Sequence, residues 1–185
     1  MAARTDIRMQ LQWTEVMNML WSGVGILVSL YALYVEWSFE NDKGYVLSYG
    51  STSKSLSYVA SCDINSYISC TRVLDSKFAR GFGIVAPILG ENSALNQKNA
   101  LYGLFVYSFL ALLSVSRSSY SIALHYYISL LSNLGSIYLF LVLLSLRTIC
   151  LVCYATYLVN AMLLFYSAKR FNHAHQLGKA VAKKN

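Results

Sequence analysis

The sequence predicts an all-α membrane protein with four transmembrane helices and a large loop between the first two. Hydrophobic residues make up 56% of the 185 residues, charged residues only 12%, and the mean hydropathy is +0.46. A soluble domain carries about 25% charged residues. This composition excludes a soluble globule, a disordered chain and a collagen-like chain. Four cysteines are too few for a small disulfide-packed secreted module.

The spans follow from four long intervals without Asp, Glu, Lys or Arg. A helix rises about 1.5 Å per residue, so about 20 apolar residues cross a hydrocarbon core of about 30 Å. The first span should stay as an anchor, because the segment before it is too polar for a signal peptide. We therefore predict one integral-membrane domain, 1–185, with spans at about 16–35, 99–116, 120–145 and 148–168.

The orientation follows from the basic residues near the spans. Both ends of the chain are rich in Lys and Arg, and positive charge beside a span marks the cytoplasm. Both termini, including the tail 169–185, are thus predicted to be cytoplasmic, and the loop 36–98 lumenal. The net charge of +7 reflects this topology and gives no reason to expect a nucleic-acid partner.

Two stretches of the loop have a distinctive composition. Residues 48–58 are rich in serine, which favours a flexible or edge-like segment. Residues 81–90 are charge-free and apolar but only half as long as a span. They are predicted to lie on the membrane surface as a cap or a re-entrant turn.

All four cysteines fall on the predicted non-cytoplasmic side. Cys62 and Cys70 lie in the loop, and Cys150 and Cys153 form a Cys-x-x-Cys pair at the start of the fourth span. A helix N-terminus favours a thiolate, and closing so short a loop contributes little stability, so this pair favours redox chemistry. Two structural disulfides remain an alternative, and a four-cysteine zinc site a weaker one.

The fourth helix carries further polar residues on the face of the thiols. Tyr157 and Asn160 follow Cys153 at helical spacing. A pocket is one interpretation; helix–helix hydrogen bonding for Asn160 and an interfacial aromatic for Tyr157 are the others. A redox face open to the bilayer would take a lipid-soluble two-electron acceptor, such as a quinone. His125, in the third span, is interpreted as an interfacial histidine.

These residues resemble the vitamin K epoxide reductase family. The matching stretches are Ser-Leu-Tyr-Ala-Leu (29–33), Cys-Asp-Ile-Asn-Ser-Tyr-Ile-Ser-Cys (62–70), Arg-Gly-Phe-Gly (80–83), Leu-Asn-Gln-Lys-Asn (95–99), Gly-Ser-Ile-Tyr-Leu (135–139) and Cys-Leu-Val-Cys-Tyr-Ala-Thr-Tyr (150–157). They are spaced over nearly the whole chain. The loop pair together with the Cys-x-x-Cys is specific, although either pair alone would be weak.

The resemblance implies a four-helix bundle in the endoplasmic reticulum membrane, with a lumenal cap over a quinone pocket. Such an enzyme reduces vitamin K epoxide and vitamin K quinone toward the hydroquinone and has no tightly bound cofactor or metal. Its electrons come from a dithiol partner, a lumenal thioredoxin-like oxidoreductase of the protein disulfide isomerase type.

The resemblance also implies a role for each matching residue. Cys153 would attack the substrate and Cys150 would resolve the adduct. Cys70 would form a mixed disulfide with Cys150, and Cys62 would exchange with the lumenal partner. Asn99 and Tyr157 would hydrogen-bond the quinone oxygens, and Asp63 would be an acid beside the first loop cysteine. From spacing alone, Asn99 could equally cap the second helix.

Two alternatives stay open at this point. The same electron path would serve an oxidase that forms disulfides in lumenal proteins and uses the quinone as a sink. A non-enzymatic adhesion protein of the claudin type also has two cysteines in its first loop. Such a protein would leave the Cys-x-x-Cys without a use.

Overall fold

The computed structural model describes residues 2–48, 62–63, 68–74 and 76–182. The described residues are almost entirely helical and form two isolated β-bridges but no strand, which confirms the predicted all-α class. Most of the serine-rich stretch 48–58 lies outside them. The helices are α1 (Ala2–Ser48), α2 (Cys70–Leu74), α3 (Val85–Leu89), α4 (Asn99–Val115), α5 (Ser119–Leu146) and α6 (Leu151–Ala182).

Three of these helices are long and apolar enough to cross a membrane by length and composition, namely α1, α5 and α6. The apolar helix α4, with 17 residues, is shorter and rises about 26 Å. Helix α1 continues far beyond the charge-free interval 16–35 at both ends. Polar residues do not stop a helix as proline does, and the one proline of the chain is Pro87.

The apolar stretch 81–90 forms a short 3₁₀ turn (Gly81–Gly83) followed by helix α3. Ile84, Ile88 and Leu89 are exposed there. The stretch is too short to span a membrane, and in agreement with that prediction it forms no long helix.

Contacts divide the chain into two compact units. The first comprises Met1–Ile26, Phe105–Ile137 and Thr156–Asn185, and the second comprises Leu27–Leu104 and Tyr138–Ala155. All four cysteines belong to the second unit.

The first unit has an apolar core and a polar network inside it. Tyr107 and Leu163 are buried in that core. The Tyr107 hydroxyl donates to Asn160 Oδ1 (2.9 Å), and Asn160 Nδ2 donates to Ser136 Oγ (2.8 Å). The interpretation of Asn160 as a helix–helix hydrogen-bonding residue is therefore confirmed.

His125 also lies inside the first unit rather than at an exposed interface. Its side chain is only 1% exposed. Its ring nitrogens face Ser114 Oγ (3.2 Å) and Ser129 Oγ (3.4 Å). Helix periodicity could not reveal this, because Ser114 belongs to a different helix.

Gly25 permits a close approach of Tyr107 in the first unit. A Cβ atom at Gly25 would lie 2.6–2.8 Å from atoms of the Tyr107 ring, whereas one at Gly23 would meet nothing within 4 Å. We expect Gly25→Ala to destabilise the protein by about 1–3 kcal/mol through overpacking. Gly23→Ala should be neutral or stabilise it by about 0.5–1 kcal/mol through helix propensity. Thermal unfolding of the two variants in one detergent measures the difference; equal midpoints would contradict this packing.

Candidate active site

The four cysteines share one apolar cluster in the second unit. Cys62, Cys70 and Cys150 are among its buried residues, and Cys153 packs against them. Cys70 and Cys150 are fully buried. The loop pair and the Cys-x-x-Cys pair, distant in the sequence, therefore meet at one place, as a relay between them requires.

A backbone contact brings the two pairs together. Ile68 and Ile149 form an isolated parallel bridge, in which the Ser69 N–H donates to the Ile149 carbonyl (3.0 Å). Cys70 lies two residues beyond one side of this bridge, and Cys150 one residue beyond the other. The loop is thus fixed against the segment that enters α6.

The two cysteine pairs are in different redox states. Cys62 and Cys70 form a disulfide, with their Cα atoms 5.8 Å apart. Cys150 and Cys153 carry thiols. Only the loop pair could serve as a structural disulfide in this state.

Cys150 occupies the N-cap position of α6. Its sulfur accepts the Cys153 N–H at 3.3 Å, and its carbonyl accepts the Tyr154 N–H at 3.0 Å. A side chain that accepts a free N–H of the first turn is the usual N-cap arrangement. The predicted helix start is thus confirmed, and it places the Cys150 sulfur against the backbone of Cys153.

Asp63 lies beside the loop disulfide. Its carboxylate and the sulfurs of Cys62 and Cys70 lie within 4.8 Å of one another. Zinc is bound by thiolates, and the disulfide uses both of these sulfurs. This trio is therefore not a zinc-binding set in the oxidised state.

Asn99 holds a turn of the loop through its side-chain amide. Its Nδ2 donates to the Phe78 carbonyl (2.7 Å), and its Oδ1 accepts the Phe82 N–H (2.9 Å). Asn99 is the first residue of α4, so the bonds fix residues 78–82 to the start of that helix. We call residues 77–83 the cap turn.

Further contacts hold the cap turn. The Gly81 N–H donates to the Gln97 carbonyl (2.8 Å), and the Tyr138 hydroxyl of α5 donates to the Phe82 carbonyl (3.1 Å). Phe82 has a positive φ of 56°, a conformation costly for a residue with a side chain. These bonds oppose that strain.

A shallow, open depression of about 350 Å³ adjoins the cysteine cluster in the second unit. Its size falls within the range of small-molecule sites, about 300–1,000 Å³. Leu27 and Tyr31 of α1, Leu151 and Ala155 of α6, and Cys62 lie along its walls. The lining is apolar, which suits a lipid-soluble molecule.

The sequence profile of the vitamin K epoxide reductase family matches residues 16–168. The chain belongs to the vitamin K epoxide reductase family. It is similar to vitamin K epoxide reductase complex subunit 1 of Rattus norvegicus, with 35% identity over 147 residues. That alignment covers 79% of this chain and 83% of the rat protein. The subunit 1 of Mus musculus matches with the same identity and coverage.

Membership in the vitamin K epoxide reductase family supports a redox function of that type. All four cysteines lie within the matched residues. Family membership and the long apolar helices together also support a multi-pass membrane protein.

Tyr157 is the one predicted site residue of this family member that belongs to the first unit. It follows Cys153 by one turn of α6, and its hydroxyl oxygen is buried. Sequence reasoning missed Glu40 and Tyr138, which hold the cap turn. The Arg-Gly-Phe-Gly stretch was the signal for this turn, but nothing in the sequence pointed to its partners.

Proposed function

We propose that this chain reduces vitamin K epoxide and vitamin K quinone to the hydroquinone with electrons from a dithiol. The epoxide and two thiols give quinone, water and a disulfide; the quinone and two thiols give hydroquinone and a disulfide. The observation that carries the proposal is the single apolar cluster of Cys62, Cys70, Cys150 and Cys153.

The chemical step is assigned to the Cys-x-x-Cys pair. The Cys153 sulfur attacks the bound substrate and forms a covalent adduct. The Cys150 sulfur then attacks Cys153, which forms the Cys150–Cys153 disulfide and leaves the electron pair on the reduced product. The hydrogen bond from the Cys153 N–H to the Cys150 sulfur supports this assignment, because the resolving sulfur must lie close to Cys153.

The loop cysteines then reduce the Cys150–Cys153 disulfide. Cys70 attacks Cys150, the Cys70–Cys150 mixed disulfide forms, and Cys153 returns to a thiol. Cys62 attacks Cys70, which releases Cys150 and leaves Cys62–Cys70 oxidised. The disulfide pattern of the structure corresponds to this last stage. A lumenal thioredoxin-like oxidoreductase then reduces Cys62–Cys70 by exchange.

Substrate binding is assigned to Asn99 and Tyr157. A side-chain amide has two N–H donors, and Asn99 uses one of them on Phe78. Among the described residues the second has no acceptor, and we assign it to a quinone or epoxide oxygen, where it would stabilise the developing negative charge. The Tyr157 hydroxyl would bind a second oxygen. Asp63, next to Cys62, would face the donor protein.

The cell location follows from the same proposal. A lumenal dithiol donor requires the cysteines to face an oxidising compartment, and the basic termini favour the cytoplasm. We therefore infer the endoplasmic reticulum membrane, with both termini cytoplasmic.

A trapped intermediate tests the relay. In Cys62→Ser, Cys70 can still attack the Cys150–Cys153 disulfide, but no loop thiol remains to release Cys150. We expect a Cys70–Cys150 disulfide to accumulate to most of the protein when the variant is purified without reductant, as measured by mass mapping of non-reduced peptides. The control, Cys62→Ser with Cys150→Ser, should show no such peptide. A Cys62→Ser protein without the cross-link would contradict the relay.

A further inference from the structure

Glu40, on α1, bridges two basic residues of the loop. Its Oε1 accepts a hydrogen bond from Arg80 Nη2 at 2.5 Å, and its Oε2 accepts one from Lys98 Nζ at 2.9 Å. Each carboxylate oxygen thus serves a different cation. Arg80 lies in the cap turn, and Lys98 directly precedes α4.

The two bases are neighbours of the residues that position Asn99. Arg80 and Lys98 form an antiparallel backbone bridge. Next to this bridge the Gly81 N–H donates to the Gln97 carbonyl, and one residue further on the Phe82 N–H donates to the Asn99 side chain. Glu40 therefore closes a three-way contact between α1, the cap turn and the start of α4.

A second acid of α1 lies one turn before. Glu36 is 5% exposed, and it interacts electrostatically with Lys98, Arg80 and Glu40. Its Oε2 makes no hydrogen bond within the part of the chain that the structure describes. Two acids of α1 thus lie near the two bases of the loop.

We propose that Glu40 is a positioning residue, which acts through Arg80 and Lys98 to hold the cap turn in the conformation that presents Asn99 to the quinone. We call the contact of Glu40 with Arg80 and Lys98 the latch. The proposal rests on the proposed function, because it assumes that Asn99 binds the substrate. Glu40 touches no substrate itself. Its role is to raise the fraction of molecules in which the site is already formed.

The expected effect falls on binding. When only a fraction of molecules is competent, the apparent affinity drops by that fraction, whereas the bound state is unaffected. Exposed ion pairs are individually weak, so two of them are worth roughly a three- to tenfold change. We therefore expect Glu40→Gln to raise KM for vitamin K quinone by about three- to tenfold and to leave kcat within about twofold.

The matched control is Glu15→Gln. Glu15 is also an ion-paired acid of α1, with Arg117 as its partner at 3.4 Å. Glu15 lies in the first unit and does not contribute to the latch. Its loss should leave KM unchanged. An equal rise in KM for both variants would overturn the latch, because loss of any ion pair would then suffice.

A charge exchange separates the latch from a general structural effect. Glu40→Lys places a third cation beside Arg80 and Lys98, and Lys98→Glu leaves Arg80 beside Glu36, Glu40 and an acidic residue 98. In the double variant residues 40 and 98 attract each other again and residue 98 lies beside Arg80, but the direct pair between residue 40 and Arg80 is lost. We expect each single variant to raise KM more than Glu40→Gln does, and the double variant to recover part of the wild-type value. A double variant as poor as the worse single variant would contradict the proposal.

A readout without substrate keeps the latch and the proposed function apart. Residue-resolved hydrogen exchange of the purified full chain should show faster exchange of the Gly81 and Phe82 amides in Glu40→Gln than in wild type and Glu15→Gln. Faster exchange in a chain whose wild type reduces no quinone would retain the latch as a structural contact and reject the function. Wild-type turnover with unchanged exchange and unchanged KM in Glu40→Gln would reject the latch alone. Faster exchange without a change in KM would also overturn it, because the turn would then not govern quinone binding.

Discussion

Cys153→Ala should abolish the reduction of vitamin K quinone and vitamin K epoxide by a dithiol. The proposed mechanism assigns the covalent step to this sulfur, and removal of a nucleophile typically costs at least about a thousandfold in kcat. Cys150 cannot take its place, because its sulfur is fully buried and caps the first turn of α6. The measurement is steady-state turnover of the purified protein in detergent or lipid nanodiscs, with product quantified by chromatography.

Cys153→Ser is the matched variant, because it keeps the size and lacks the nucleophilic sulfur. Both variants should retain the Cys62–Cys70 disulfide and the wild-type unfolding midpoint, which shows that the loss is chemical rather than structural. Turnover above about a tenth of wild type, far more than a missing nucleophile allows, would reject the assignment of Cys153.

The fold class could be predicted from the positions of the charges alone. The apolar interval between Arg117 and Arg147 corresponds closely to α5. A charged side chain is costly in the hydrocarbon core, so the two arginines mark the ends of the membrane-spanning segment. The extent of α1 could not be predicted in this way. Its ends continue beyond the apolar interval as helix, and a charge pattern marks where lipid ends rather than where a helix ends.

The site was only partly readable from the sequence. The Cys-x-x-Cys spacing and its place at a helix start depend on local geometry, which a sequence displays directly. The bridge between Ile68 and Ile149 joins residues 81 positions apart and has no sequence signal. The partners of Asn99 were hidden for the same reason. Its spacing suggested a helix cap or a ligand, and the structure adds a third role, since its amide holds the backbone of Phe78 and Phe82.

This double engagement gives Asn99 two separable tasks, and we expect Asn99→Ala to lose both. The Phe82 amide loses its acceptor and exchanges faster, and the substrate loses an N–H donor. Removal of one such donor at a site of developing charge costs about a hundredfold to a thousandfold, so kcat/KM for vitamin K quinone should fall by about a hundredfold or more. Asn96→Ala is the control, because Asn96 Nδ2 bonds to the Glu91 carbonyl in the same loop, at 3.0 Å, and to no other group among the described residues.

Asn99→Asp separates the two tasks. A carboxylate can still accept the Phe82 N–H but loses the bond to the Phe78 carbonyl, so that amide should exchange more slowly than in Asn99→Ala. It offers no N–H to a quinone oxygen, and its charge opposes negative charge on the substrate, so kcat/KM should fall at least as far as in Asn99→Ala. If Asn99→Asp instead keeps near-wild-type kcat/KM, Asn99 serves the cap turn alone, and the oxygen of the substrate must find its donor elsewhere.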